Sequence, residues 1–131
     1  MSADVGNWYT GDNMNKRELI KLGMDVDGAL ERLGGNEDLL ERLLEKFLAD
    51  PNYGELREAL ETKDTGKAFA ASHTLKGVCI SLSLSRLYEP VSEMTEYLRV
   101  ADLESARKQL PIVTSEYERL IAGLGNCLEH S

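Results

Sequence analysis

Histidine, cysteine and aromatic residues are scarce in this chain of 131 residues, which has 2 His, 2 Cys, 1 Trp and 2 Phe. Cys79 and Cys127 show no paired spacing, so neither a disulfide scaffold nor a zinc knuckle is written here, and both read as reduced thiols, Cys79 as core filler. No apolar run approaches the roughly 20 residues of a membrane span, and the N-terminus lacks a basic-then-apolar signal pattern. The expectation is a cytoplasmic protein with no membrane partner. A basic block is also missing: 23 acidic and 15 basic residues give a net charge of −8 and a pI near 4.8. That balance disfavours nucleic acid and anionic membrane surfaces as direct partners. Finally, there is no glycine-rich nucleotide loop and no room for an ATP-binding domain, which argues against a self-sufficient kinase.

What is present is helical punctuation. Residues 1–24 show little period and read as a leader, partly disordered, with Trp8 and Tyr9 able to fold back onto the domain. From Asp25 a cap is followed by Val26, Leu30 and Leu33 on one face, and Gly34-Gly35 ends that short helix. Asn36 caps the next, in which Leu39, Leu40, Leu43, Leu44, Phe47 and Leu48 form a wide apolar stripe. Asp50-Pro51 starts another helix carrying Tyr53, Leu56 and Leu60. Asp64 starts the segment that contains His73. Ser83 or Ser85 is expected to cap a helix with Leu87, Val91, Met94 and Leu98, with a kink or a later start at Pro90. Asp102 begins the last helical region, where Pro111 is expected to bend or split a helix lined by Val113, Tyr117, Leu120, Ile121 and Leu124. The fold class predicted is all-α: an antiparallel four-helix bundle over residues 25–125 with short additional N-terminal helices, followed by a tail at 126–131.

The stretch "AASHTLKGVCISL" holds the one histidine inside this pattern. At about 100° per residue, Ala68, Ala71, Leu75, Val78 and Leu82 fall within about 40° of the direction opposite His73 and face the core. Gly66, Phe69, Gly77 and Ile80 share the direction of His73, and Ala70 and Lys76 flank it. A solvated helix face normally carries long charged side chains; this one presents glycines, Phe69, Ile80 and a single lysine, a texture suited to contact. Glycine inside a helix costs about 1 kcal/mol against alanine, so Gly77, one turn beyond the imidazole, asks for a reason such as room for a reactant. Lys76 is a helical neighbour of His73 whose ammonium can reach above the ring. Imidazole, with an ordinary pKa near 6.5, offers a neutral nucleophilic nitrogen without a dedicated base, and a nearby cation would stabilise a phosphoryl product.

These residues resemble a family signature. His73-Thr74-Leu75-Lys76-Gly77-Val78-Cys79 is similar to the motif of histidine-containing phosphotransfer (HPt) domains of bacterial two-component phosphorelays, and the flanking segments over residues 25–124 look like that family's helices. The resemblance implies a histidine that accepts a phosphoryl group from receiver-domain aspartates of response regulators and donates it to them. His73 would be the phosphoacceptor, Lys76 the electrostatic support and Gly77 the steric clearance, with Gly66, Phe69, Ala70 and Ile80 docking the partner. It implies no cofactor in this chain, any magnesium belonging to the receiver, and a monomer whose partners are receiver domains and also, where one exists, a hybrid histidine kinase. Two positions depart from the pattern: many members have a small residue where Ile80 stands and a glycine where Ser83 stands.

Other functions fit less well. A general acid-base enzyme would need a second convergent polar group beside His73. A metal site would need His, Cys or carboxylate ligands at helical spacing, and His130 lies in the terminal tail. The rival is a non-catalytic helical module that docks receiver domains without carrying phosphate. Docking alone, however, does not require a nucleophile and a cation in register.

Overall fold

The computed structural model describes residues 15–128; the readings made on 1–14, including Trp8 and Tyr9, and on His130 lie outside the described residues. Among these, seven helices follow one another without a strand: α1 Lys16–Lys21, α2 Val26–Arg32, α3 Glu37–Leu48, α4 Asn52–Glu61, α5 Thr65–Ser81, α6 Ser85–Arg99 and α7 Leu103–Leu128. Helices α4 to α7 make the bundle, with α5 packed between α4 and α6, and α7 packed on α6 and reaching α4, while α1 and α3 lie against α7. The core runs through all of them: Leu40, Leu44, Leu56, Leu75, Val91, Met94, Val113 and Leu124 are fully buried. Burying each such leucine stabilises the fold by about 1.5–3 kcal/mol relative to exposure, so the apolar stripes fix the rotation of every helix about its axis.

The caps show why the helices begin where they do. The carboxylates or amides of Asn15, Asp25, Asn36, Asp64 and Asp102 accept hydrogen bonds from backbone N–H groups three residues on, at 2.9–3.2 Å. Each satisfies an otherwise orphan donor. Ahead of α4, the Asp50 carboxylate accepts from the Asn52 N–H at 2.8 Å, with Pro51 at the boundary, where its missing N–H costs nothing. The bonds from Ser105 to Asp102 hold its carboxyl below the usual carboxylate range.

Four features of the sequence reading are corrected. The stretch read as a leader to residue 24 contains α1, whose Leu19 is fully buried. This helix is held because Gly123 on α7 leaves a notch that the Leu22 side chain fills, and Arg119 Nη2 donates to the Leu22 carbonyl at 2.8 Å. At the other end α7 continues through residue 128 rather than ending at 125, with Cys127 and Leu128 buried. Neither Ser83 nor Ser85 caps α6; Leu84 occupies that position with no side-chain cap, its own side chain buried in the core. Nor do the prolines break a helix: α6 begins at Ser85 with Pro90 inside it rather than one turn later, and α7 runs through Pro111 without a split. Pro111 is exposed, so the carbonyl its ring leaves unpaired is open to water.

The helix ends share one device. After α4, α5 and α6 the chain takes a left-handed residue, Lys63 (φ 59°), Ser83 (φ 55°) and Ala101 (φ 61°), where α1 and α2 use Gly23 and Gly34. In each, the next N–H folds back to close the final turn, as from Asp64 to the Ala59 carbonyl at 2.8 Å and from Leu84 to the Cys79 carbonyl at 2.8 Å. Ser83 has a reason to be there in place of glycine. Its hydroxyl accepts from Arg32 Nη1 and its carbonyl accepts from the Asp25 N–H at 2.9 Å, tying the α5–α6 turn to α2. Lys63 is exposed and makes no such bond through its side chain that would offset the conformational cost. Lys63→Gly should therefore stabilise the protein by about 0.5–1 kcal/mol in urea unfolding, and Ser83→Gly by less because it loses the Arg32 bond.

Candidate functional site

The site is built on α5. Its inner face, Ala68, Ala71, Ser72, Leu75 and Cys79, is buried against α4 and α6. Most of these are small, and the Ser72 hydroxyl bonds back to the Phe69 carbonyl at 3.1 Å, so no polar atom is stranded at the contact. Val78 and Leu82 belong to the same side, Leu82 buried and Val78 half-buried at the edge of an apolar groove with Leu43 and Phe47. With that face fixed, the opposite one must point outward. Gly66, Ala70, His73, Gly77 and Ile80 are all exposed, Ile80 at 47%.

Phe69 and Lys76 are less open than the sequence suggests. Phe69 is half-buried and packs on the core, its ring 5.7 Å from the His73 ring at 41° and overlain by Arg99, whose Cζ lies 5.2 Å from the ring centre. Phe69 thus offers less free apolar surface than its place on the outward face suggests. Lys76 is also drawn aside, with Nζ 3.9 Å from Glu96 Oε2 on α6 and its side chain only 23% exposed. Glu96 in turn receives both Arg99 Nε and Nη2 at 3.2–3.4 Å. The hydrogen bond from Arg99, and then the charges of Arg99 and Lys76, hold the Glu96 carboxyl below the usual carboxylate range against the opposing effect of desolvation.

Gly77 is open. A Cβ built at this residue meets no atom within 4 Å beyond its own helix backbone, so neither helix packing nor a backbone twist demands glycine there. Ala70 and Thr74 border a cleft of about 550 Å³ between α4 and α5, also lined by Glu55, Glu58, Asp64 and Lys67. Cys79, six residues past His73, is no second nucleophile: burial first, and the Asp50 charge second, push its thiol up to about 12.

The structure therefore brings His73, Gly77, Gly66, Ala70 and Ile80 together on one accessible face, with Lys76 at its border. An exposed imidazole on a rigid helix, with a cation one turn away and no general base or second acid in the same face, suits transfer of an anionic group to and from a large partner. A model of the Hpt domain family matches residues 37–123. The chain belongs to the Hpt domain family. Hpt domains act in phosphotransfer within two-component signalling, through receiver domains, and the all-helical bundle accords with that family's fold. No curated protein and no solved structure matches the chain. No helix of the described residues is long and apolar enough to cross a membrane.

Glu96 and Arg99 are what the sequence reading missed. They stand more than twenty residues beyond His73 on a different helix, and nothing in local spacing reports the register in which α6 lies along α5. The openness at Gly77 has a direct test. Gly77→Ala should raise stability by up to about 1 kcal/mol, and Gly77→Leu should still fold with native-like helical content, read by thermal melts and circular dichroism. Unfolding of the Gly77→Leu variant would place Gly77 in a helix contact.

Proposed function

We propose that His73 is the phosphoacceptor of this Hpt domain and that the chain is a phosphorelay intermediate. The observation that carries the reading is the exposed imidazole at the centre of the outward face of α5, with Gly77 open beside it and Lys76 at its edge. A phosphorylated receiver domain of a response regulator docks on Gly66, Phe69, Ala70 and Ile80, with Gly77 leaving it clearance beside His73. A ring nitrogen of His73 attacks the phosphorus of the aspartyl phosphate in line; the N–P bond forms, the P–O bond breaks, the aspartate leaves as carboxylate and the imidazole proton passes to water. The reverse step delivers the group to another receiver. Positioning on a rigid helix supplies most of the rate, and Lys76 offsets charge on the transferred group.

On this reading the chain acts as a cytoplasmic monomer without a cofactor of its own, any magnesium residing in the receiver's acidic pocket. Ile80, where many family members have a smaller residue, adds apolar surface beside His73 and narrows the set of receivers that fit. A hybrid histidine kinase carrying a receiver is a partner of the same class.

Incubation with a phosphorylated receiver domain and mapping of the acid-labile label tests this. His73→Gln should fold normally and take up no label, and equal labelling of the variant and the parent would end the proposal. Lys76→Ala should fold as well and slow transfer by about tenfold, equivalent to about 1.4 kcal/mol in the barrier. Unchanged kinetics would make Lys76 an ordinary surface lysine. From the parent through Gly77→Ala to Gly77→Leu, transfer should fall while stability holds or rises.

A further inference from the structure

Two cations that border the face of His73 are not free. Lys76 reaches across from α5 to Glu96 on α6 at 3.9 Å, and Arg99, lying over Phe69, grips the same carboxylate with two of its nitrogens at 3.2–3.4 Å. Phe69 is the ring that stands 5.7 Å from His73. One carboxylate therefore divides the attention of two positive charges at the border of the transfer site. All three side chains reach solvent, with 23% of Lys76, 56% of Glu96 and 49% of Arg99 exposed. Ion pairs this open are weak and rearrange readily.

We propose that Glu96 is a counter-ion latch that withholds Lys76 and Arg99 from the phosphoryl group on His73, and so sets how firmly the histidine keeps that group. The inference rests on the phosphotransfer reading above and adds two positioning residues to it. With His73 free, Glu96 holds both cations. With a phosphoryl group of about two negative charges on the imidazole, the cations turn partly toward it, while the Glu96 carboxylate remains as a nearby negative charge that opposes retention. A partial hold suits a carrier that must release the group as well as accept it.

The test needs no cognate partner. Phosphoramidate phosphorylates the chain chemically: the imidazole nitrogen bonds to phosphorus, the P–N bond to the leaving amine breaks, and the imidazole proton leaves with ammonia. The second ionisation of the phosphoryl group is then followed by phosphorus NMR, the His73 signal being the one missing from His73→Gln. Neutralising Glu96 in Glu96→Gln should lower that midpoint by about 0.3 pH unit, because the dianion gains cations and loses a repelling charge. Arg99→Gln should raise it. Glu118→Gln, which removes one exposed acid from α7, should leave it at the parental value. Equal midpoints for Glu96→Gln and the parent, or the same shift in Glu118→Gln, would overturn the latch and leave the phosphotransfer reading standing. If His73 of the parent takes no phosphoryl group at all, the phosphotransfer reading falls and the latch with it.

Discussion

The close contact of α5 with α4 and α6 is the constraint on which the site depends. Ala68, Ala71, Ser72, Leu75 and Cys79 lie on the buried side of that helix, and their small size lets its neighbours approach. Turning α5 by a single residue, about 100°, would bring Leu75 toward water and drive a polar side chain inward. Exposing the leucine alone costs about 1.5–3 kcal/mol, and burying an unpaired polar group costs a similar amount. The rotation of the helix is thus set by its inner face, and the outward direction of His73 follows without any contact made by His73 itself. A histidine held this way keeps its place when its own chemistry changes.

The same logic explains which parts were legible in the sequence. The outward face of α5 could be read because the leucines and alanines that oppose His73 recur at helical period, and because glycine at position 77 has no local reason to exist. The face was legible even though α5 is apolar on both sides, with Ile80 exposed and Phe69 half-exposed. The caps at Asp25, Asn36, Asp64 and Asp102 were legible because a short polar side chain beside an orphan N–H acts within three residues. Helix α1 was not: six residues are too few to show a period, and it stands through Leu19 in the core and Leu22 in the Gly123 notch, a contact made across about a hundred residues of chain. Ser83 was misread for a related reason. A serine before a helix usually caps it, but here its backbone closes α5 in the left-handed region while its hydroxyl is engaged by Arg32 from α2.

Glu96 and Arg99 mark the limit of one-dimensional reading. Their place beside the site is decided by the antiparallel register of α6 on α5, which depends on how Met94, Leu98 and Leu87 seat in the core. The sequence shows that α6 has an apolar stripe, but not where along α5 that stripe comes to rest.

Charge gives the arrangement its sense. A chain with net charge −8 is a poor home for a phosphoryl dianion, and the field of the whole surface opposes a group that adds further negative charge. Local cations can offset that field only at short range, since exposed charges are screened beyond about 8–10 Å. On the proposed reading, Lys76 and Arg99 supply them. Had either been locked in a buried pair, moving it would have disturbed the core; held instead by an exposed carboxylate, both can shift by a few side-chain rotations while the helices stay where their apolar faces put them. If His73 carries a phosphoryl group as proposed, the fold separates two tasks, a rigid inner face that aims the imidazole and a loose outer pair of cations that can answer to whatever the imidazole carries.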